Sequence, residues 1–366
     1  MIKEQCFTEE WFDSFKNQPE FKRIDKIILE KMIYALHLLE RIQTNGLDFV
    51  FKGGTSLILL LEEGNRFSID IDIICNSPRE EIEAILEKVI DTSRFKAYEL
   101  DENRSYQPGI PKAHYAFSFD SAINERYSGR ILLDILQEKS IYPELIEKEI
   151  HTRWIETTEK TRVAVPSIDA ITGDKLTAFA PNTIGIPYFK GKQSFSMEIC
   201  KQLFDLNKLI DKIQNFEVVT SSFTAFVKQE IEYRKAHFKG ELTPQIVLQD
   251  IIDTCLIITR RGGPSRDDRD KFVELQKGIQ AFGTGFLMTG HFRIDEAIAA
   301  SAKVACIAAK LLKNDLSPVL WYKGQDISNL SINDKNWNFL NRLKRQPDKS
   351  IFYYWYQAVG VLGNSI

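Results

Sequence analysis

The segment SIDID at residues 68–72 constrains the fold more than any other stretch of this sequence. Polar and apolar side chains alternate there, which predicts a β-strand with Asp70 and Asp72 on one face and isoleucines on the buried face. Two carboxylates on one face repel each other unless a cation lies between them. The segment is therefore either a cation site or the solvated side of an edge strand.

The residues before this strand indicate a phosphate site. A short strand is expected to end before Gly53 and Gly54, and a helix is expected to follow them. Glycines let the backbone approach a ligand closely, and a helix N-terminus favours an anion. A Gly-Gly turn alone is weak evidence, but this one directly precedes the two aspartates. We therefore expect its backbone N–H groups, with the hydroxyls of Thr55 and Ser56, to approach a phosphate.

A third carboxylate, Asp134, interrupts the apolar run at residues 131–136. Both faces of that run are expected to be buried, where an unpaired charge would cost several kcal/mol. Asp134 therefore needs a metal ion or a cationic partner. Arg66 either reaches a phosphate or pairs with a surface carboxylate, and Ser68 contacts either a phosphate or the backbone.

The periodicity of the chain predicts an α+β fold. The first forty residues are expected to be helical, and a helix is expected to start at Ser77 as N-cap with Pro78 as its first residue. Strands are predicted at 113–119, 131–136 and 162–165, the first two as a hairpin. From Ser167 onwards the pattern is mostly helical, so we divide the chain into domains at 1–215 and 216–366.

Composition excludes some functions. The 366 residues carry a formal net charge of -3, so a global basic field of the kind found on obligate nucleic-acid binders is absent. The five cysteines are scattered without a zinc-binding spacing, which favours free thiols in a reducing compartment. The sequence also contains no apolar stretch of roughly 18 residues, so we expect a cytoplasmic protein without a membrane span.

Two blocks together resemble a known family. KGGTSL at residues 52–57 and RFSIDID at residues 66–72, with the later Asp134, resemble the polymerase-beta-type nucleotidyltransferase fold, and more narrowly the AbiEii/AbiGii toxin family. That family belongs to abortive-infection and type IV toxin–antitoxin systems. IDAITGDKLTA at residues 168–178 resembles the family's helix that carries a lysine, and KQLFDL at residues 201–206 its later K-x-x-x-D-L block.

The resemblance implies a nucleotidyltransferase core, a mixed sheet flanked by helices, followed by an all-helical C-terminal part. It implies roles for a set of residues: catalysis by Asp70, Asp72, Asp134, Lys175 and Asp205; nucleotide binding by Gly53, Gly54, Thr55, Ser56, Arg66, Ser68 and Lys175; and Mg²⁺ or Mn²⁺ binding by Asp70, Asp72 and Asp134. The chain departs from many relatives at residues 180–187, where they have Arg or His.

Helix geometry gives Lys175 an independent test. On a helix that starts at Ile168, Lys175 falls within the apolar stripe, so its ammonium needs an anion unless it extends along the surface to solvent. In the implied role it holds the triphosphate. Asp205 lies at the margin of its own apolar stripe, and it is either solvated or a partner of Lys175 or the nucleotide.

The implied reaction is attack of an acceptor hydroxyl on the α-phosphorus of an NTP, with release of pyrophosphate. The resemblance implies an RNA acceptor, with the 3′ end of tRNA as the best candidate, a block of translation and growth, and a cognate antitoxin as partner. The alternatives are nucleotidylation of a protein side chain, a non-catalytic nucleotide- or antitoxin-binding module, and a phosphate-transferring kinase.

Two further segments are candidates for RNA contacts. Residues 260–269 are rich in arginine and glycine, although their interleaved acids favour a solvated loop. Residues 352–356, FYYWY, could stack on bases, although packing of a terminal helix is the stronger interpretation.

Overall fold

A computed structural model describes residues 1–22, 24–61, 66–106, 110–124, 126, 128–235 and 240–363. The chain forms two compact units, residues 1–167 with 285–290 and residues 168–284 with 291–366. We call them the sheet unit and the helical unit. The boundary predicted at residue 215 falls within the helical unit, and the division of the chain into folding domains stays a prediction.

The sheet unit contains both helices and strands. In chain order its α-helices and strands are α1 Glu9–Lys16, α2 Lys26–Thr44, β1 Val50–Lys52, α3 Gly53–Leu60, β2 Ile71–Ile74, α4 Arg79–Thr92, β3 Phe95–Leu100, β4 Lys112–Asp120, β5 Ser128–Leu136, β6 Leu145–Glu149 and β7 Arg162–Pro166. Thr8 caps α1 by accepting a hydrogen bond from the N–H of Trp11.

Among the described residues, seven strands form one mixed sheet in the order β3-β4-β5-β2-β1-β7-β6. The pairs β2–β5 and β1–β7 are parallel, and the other neighbours are antiparallel. This arrangement confirms the predicted α+β fold, and β4 and β5 form the predicted hairpin. Alternate residues of β4, from Ala113 to Phe119, are buried, whereas those between them are only half buried. One face of the sheet is thus core and the other is partly open.

Three local expectations differ from the structure. Pro78, not Ser77, occupies the N-cap of α4, and no side chain caps that helix end. The carbonyl of Pro78 instead accepts from the N–H groups of Glu81 and Ile82, so the predicted Ser77 cap is wrong. Helix α3 begins at Gly53, earlier than predicted. Strands β3 and β6 were not predicted, because both lie at the sheet edges and much of each is exposed.

The helical unit consists mostly of helices, as the sequence predicts. In chain order its elements are α5 Ile168–Ala178, β8 Phe189–Lys190, β9 Gln193–Ser194, α6 Ser196–Ile210, α7 Phe216–Arg234, α8 Pro244–Arg260, α9 Arg266–Gly285, α10 Ile294–Leu312, a 3₁₀ helix Asn338–Arg345 and α11 Ser350–Leu362. Gly173 lets α5 and α7 pack closely, because a Cβ there would lie 2.6 Å from the Val219 carbonyl oxygen. Helix α10 contacts α6, α8 and α11.

Candidate functional site

A row of polar side chains crosses four strands on the open face of the sheet. Lys52 in β1 pairs with Asp72 in β2, Asp72 pairs with Asp134 in β5, and Asp134 pairs with His114 in β4. Residues paired directly across neighbouring strands project from the same face. The two aspartates are therefore adjacent, with a basic residue on each side. We call these four residues the polar row.

Asp134 has a partner that the sequence did not indicate. His114 Nδ1 lies 2.7 Å from Asp134 Oδ1, and the two side chains are 14% and 33% exposed. The expectation that both faces of this strand are buried is therefore wrong, because the even-numbered positions of β5 from Leu132 to Asp134 are only half buried. The N–H of His114 donates to Ser105 Oγ, which fixes the backbone beside this contact.

Asp72 packs against the Gly-Gly turn. Gly53 has a φ of +77°, a conformation that side chains with a Cβ rarely adopt. A Cβ at this position would overlap the Asp72 carboxylate, so the glycine is required both by the backbone angle and by the space that Asp72 fills. Asp72, one of the metal-ligand candidates, thus touches the start of α3, where helix N–H groups lack partners within the helix.

Gly54 makes room for two other predicted site residues. A Cβ on Gly54 would lie 2.5 Å from Arg66 Nη2 and 3.0 Å from Ser68 Oγ. Arg66 is 8% exposed and donates to the Phe67 carbonyl. The structure therefore brings Arg66 and Ser68 to the turn. A buried guanidinium beside a helix N-terminus gives this location two features that favour an anion.

The two hydroxyls of the turn are bonded within the protein. Thr55 Oγ1 is 2.8 Å from Ser68 Oγ and also donates to the Asp70 carbonyl, while Ser56 Oγ donates to the Gly53 carbonyl. Both side chains are fully buried. These bonds tie the turn to the segment before β2, and the nucleotide-binding role of both hydroxyls stays a prediction. Asp70 itself is exposed and precedes β2 by one residue.

Lys175 and Asp205 form a buried ion pair in the helical unit. Lys175 Nζ lies 2.9 Å from Asp205 Oδ2 and donates to Gln202 Oε1 at 3.1 Å. The two side chains are 6% and 2% exposed. Lys175 thus points inward and has the anion that its helical position requires. The solvated alternative for Asp205 does not hold, since its carboxylate contacts Lys175.

The donor set of the polar row fits one kind of metal site. Within the described residues, no group of three or more His, Cys, Asp or Glu side chains is placed to hold a metal ion. Asp72 and Asp134 are two adjacent oxygen donors. Mg²⁺ typically binds one or two carboxylates and completes its coordination with waters and substrate phosphates. The residues present therefore fit a divalent cation that is bound together with a triphosphate.

The two segments considered for RNA contacts have different environments. In the segment at residues 260–269, the loop after α8 ends where α9 begins at Arg266. Arg261 pairs with Asp295, Arg266 with Asp270, and Arg269 donates to the Pro264 carbonyl. In α11, residues 352–355 are buried, which confirms the packing interpretation of the aromatic run. No described helix is both long and apolar enough to span a bilayer.

Comparisons with known proteins identify a family for this chain. The model of the family described as nucleotidyl transferase AbiEii toxin, type IV TA system, matches residues 37–279. A solved structure from H. pylori, described as a candidate nucleotidyltransferase, is 15% identical with a TM-score of 0.40, covering 78% of this chain and 94% of its own. The nucleotidyltransferase toxin MenT4 from Mycobacterium tuberculosis H37Rv is 13% identical with a TM-score of 0.44, covering 83% and 99%. A comparison with curated proteins gives no match.

Proposed function

The chain belongs to the AbiEii family of nucleotidyltransferase toxins of type IV toxin–antitoxin systems, and on that premise we propose that it transfers a nucleoside monophosphate from an NTP to an RNA hydroxyl. The acceptor in this proposal is the 3′ end of tRNA, and its modification stops translation and growth. A cognate antitoxin is the protein partner, and the cytoplasm is the place of action. The adjacency of Asp72 and Asp134 beside the Gly-Gly turn is the observation that carries the proposal.

Each part of the site has a task in this reaction. The N–H groups at the start of α3 and the Arg66 guanidinium bind the phosphates of the NTP. Asp70, Asp72 and Asp134 are the carboxylates that would hold Mg²⁺ or Mn²⁺, and Asp72 and Asp134 are paired in neighbouring strands. A cation bound there supplies positive charge to the triphosphate and lowers the pKa of the acceptor hydroxyl.

The chemistry is an in-line displacement at the α-phosphorus. The acceptor oxygen forms a bond to that phosphorus, the bond to the β-phosphate oxygen breaks, and pyrophosphate leaves with its electron pair. Asp134 accepts the hydroxyl proton, and His114 holds the other side of the same carboxylate. Lys175 contacts a phosphate in this proposal only by exchanging one of its bonds to Asp205 and Gln202.

The test is a labelling experiment with each α-³²P-labelled NTP in turn. Wild type and Asp72→Asn are incubated with Mg²⁺, total RNA and cell extract, and labelled RNA and protein are resolved separately. Asp120→Asn is the matched control, because Asp120 is 74% exposed and pairs with Lys96 at the end of β4. We expect label in tRNA-sized RNA with wild type and the control but not with Asp72→Asn.

The other outcomes are equally informative. Label in protein would show that the acceptor is a protein side chain and not RNA. Release of nucleoside diphosphate in place of pyrophosphate would indicate a kinase. Equal labelling by wild type and Asp72→Asn would contradict the assignment of the polar row.

A further inference from the structure

The 3₁₀ helix Asn338–Arg345 has three lines of side chains, because residues three apart are eclipsed in such a helix. Leu340 and Leu343 form the buried line. Phe339, Arg342 and Arg345 form a second line; both arginines are exposed and Phe339 is half buried. At about 2.0 Å of rise per residue, successive members of this line lie roughly 6 Å apart. The helix thus presents an aromatic ring and two guanidinium groups in one direction.

Arg260 lies beside the aromatic member of this line. It is the last residue of α8, and its guanidinium carbon lies 4.5 Å from the centroid of the Phe339 ring. This is the distance range of a stacked cation–π contact. The ring holds the guanidinium in place without neutralising its charge. We call Arg260, Phe339, Arg342 and Arg345 the arginine row.

The arginine row carries charge that the described part of the protein does not neutralise. None of its three arginines lies within 4.0 Å of a carboxylate oxygen of a described residue, whereas Arg234, Arg261 and Arg266 in the same unit all have such partners. The acids that flank the 3₁₀ helix in the sequence are used locally: Asp334 and Asp348 accept hydrogen bonds from the backbone N–H groups of Asn336 and Ser350. The arginines are thus available to an external anion.

We propose that the arginine row binds the phosphate backbone of single-stranded RNA, and this rests on the proposed function in taking RNA as the acceptor. Two guanidinium groups in line and a third over the neighbouring Phe339 ring match a chain of phosphates, and arginine binds phosphate through two parallel hydrogen bonds. Grooves that combine cations with aromatic side chains are typical of proteins that bind single strands without sequence preference. In this proposal, the helical unit binds the acceptor strand.

The test measures RNA binding without catalysis. A fluorescein-labelled single-stranded RNA of mixed sequence is titrated with protein in the absence of NTP and divalent metal, and anisotropy is recorded at several salt concentrations. For Arg342→Ala/Arg345→Ala we expect roughly tenfold weaker binding at low salt. The slope of log Kobs against log salt should become shallower by about 1.4, since each phosphate contact on a single strand contributes about 0.7.

Two further variants sharpen the result. Lys313→Ala/Lys323→Ala removes the same charge from exposed positions of the same unit and should bind within about twofold of wild type. Phe339→Leu keeps an apolar side chain but removes the ring under Arg260, and it should weaken binding less than the double arginine variant. Thermal unfolding of the two double variants should match wild type, because those four positions are exposed.

Clear outcomes would overturn the proposal. Unchanged affinity and slope in the double arginine variant, or an equal loss in the lysine control, would show that the row is not the binding surface. Binding of wild type to vesicles containing phosphatidylserine but not to RNA would show that the arginine row binds a lipid surface and not RNA. Because no NTP is present, RNA binding by an enzyme that fails the labelling test would leave the arginine row intact and reject only the proposed reaction.

Discussion

The carboxylate of Asp72 occupies the space that a side chain on Gly53 would need. Gly53 also has a φ of +77°, and it joins β1 to α3 at the point where the helix N–H groups begin. The backbone turn and the carboxylate are therefore one packed arrangement. A change at the glycine must move Asp72, although Gly53 itself has no side chain that could react.

Gly53→Ala should lower both stability and transfer activity. The left-handed backbone angle costs about 1–2 kcal/mol for a residue with a Cβ, and the overlap with Asp72 adds to this. A displaced carboxylate should reduce kcat/KM roughly a hundredfold. Urea unfolding and nucleotide transfer measure the two effects. Gly46→Ala is the control, because Gly46 has a φ of +91° with no atom within 4 Å, so it should lose stability but keep activity.

His114→Ala should weaken Mg²⁺ binding at Asp134. The contact of 2.7 Å between His114 Nδ1 and Asp134 Oδ1 orients the carboxylate, and loss of such a supporting partner typically costs about 10–100-fold in metal affinity or activity. We expect a higher Mg²⁺ concentration for half-maximal transfer, which a Mg²⁺ titration measures. Ser118→Ala, on the same face of β4, should leave the titration unchanged. An unaltered Mg²⁺ requirement in His114→Ala would show that the histidine is only structural.

Variants of the buried pair of Lys175 and Asp205 can separate its contribution to stability from its contribution to activity. Asp205→Asn leaves a lysine that is 6% exposed without its anion, and breaking a buried pair in this way costs about 3–5 kcal/mol. Replacing both partners, as in Lys175→Met/Asp205→Leu, should recover most of that stability because no charge remains buried. Urea unfolding compares the single and double variants.

Activity of the double variant then decides the role of the pair. We expect it to fold but not to transfer nucleotide, since the ammonium proposed to contact a phosphate is gone. Wild-type transfer by the stable double variant would show that Lys175 and Asp205 serve the fold alone.

Local pattern in the sequence predicted much of this fold. The alternation at residues 68–72 predicted the strand that carries Asp72, although β2 begins only at Ile71 and leaves Asp70 outside it, and β4 and β5 were expected as a hairpin. The helical position of Lys175 predicted an inward ammonium with an anionic partner. Each of these depends on neighbours along the chain, where the periods of strands and helices apply directly.

Pairing between distant segments could not be predicted from local sequence pattern. His114 faces Asp134 because β4 and β5 pair in one particular register, and a shift by one residue would reverse which face each side chain occupies. The half-open face of β5 also depends on which strands and helices cover it, so an apolar sequence run suggested more burial than the structure has. The arginine row joins α8 to a 3₁₀ helix far along the chain, and only the fold brings them together.

Asp315 gives a prediction for the dependence of stability on pH. Burial alone would raise the pKa of Asp315, but hydrogen bonds from Lys310 and Ser317 outweigh it and lower the pKa to about 2. The ionised form is therefore stabilised in the folded state, beside a Lys310 side chain that is 5% exposed. A lowered pKa means that this stabilisation is complete above the unfolded-state pKa of 3.8 and is lost as the pH falls towards about 2.

Asp315→Asn should accordingly reduce the free energy of unfolding by about 2 kcal/mol at pH 7, and by about half as much at pH 3. Urea unfolding of wild type and variant at pH 7, 5, 4 and 3 measures the difference, which should stay constant down to about pH 5 before it narrows. Asp270→Asn is the control, because Asp270 is 71% exposed and lies 3.7 Å from Arg266, so its effect should be small throughout. A difference that does not change between pH 7 and pH 3 would mean that Asp315 stabilises the end of α10 through packing and not through its charge.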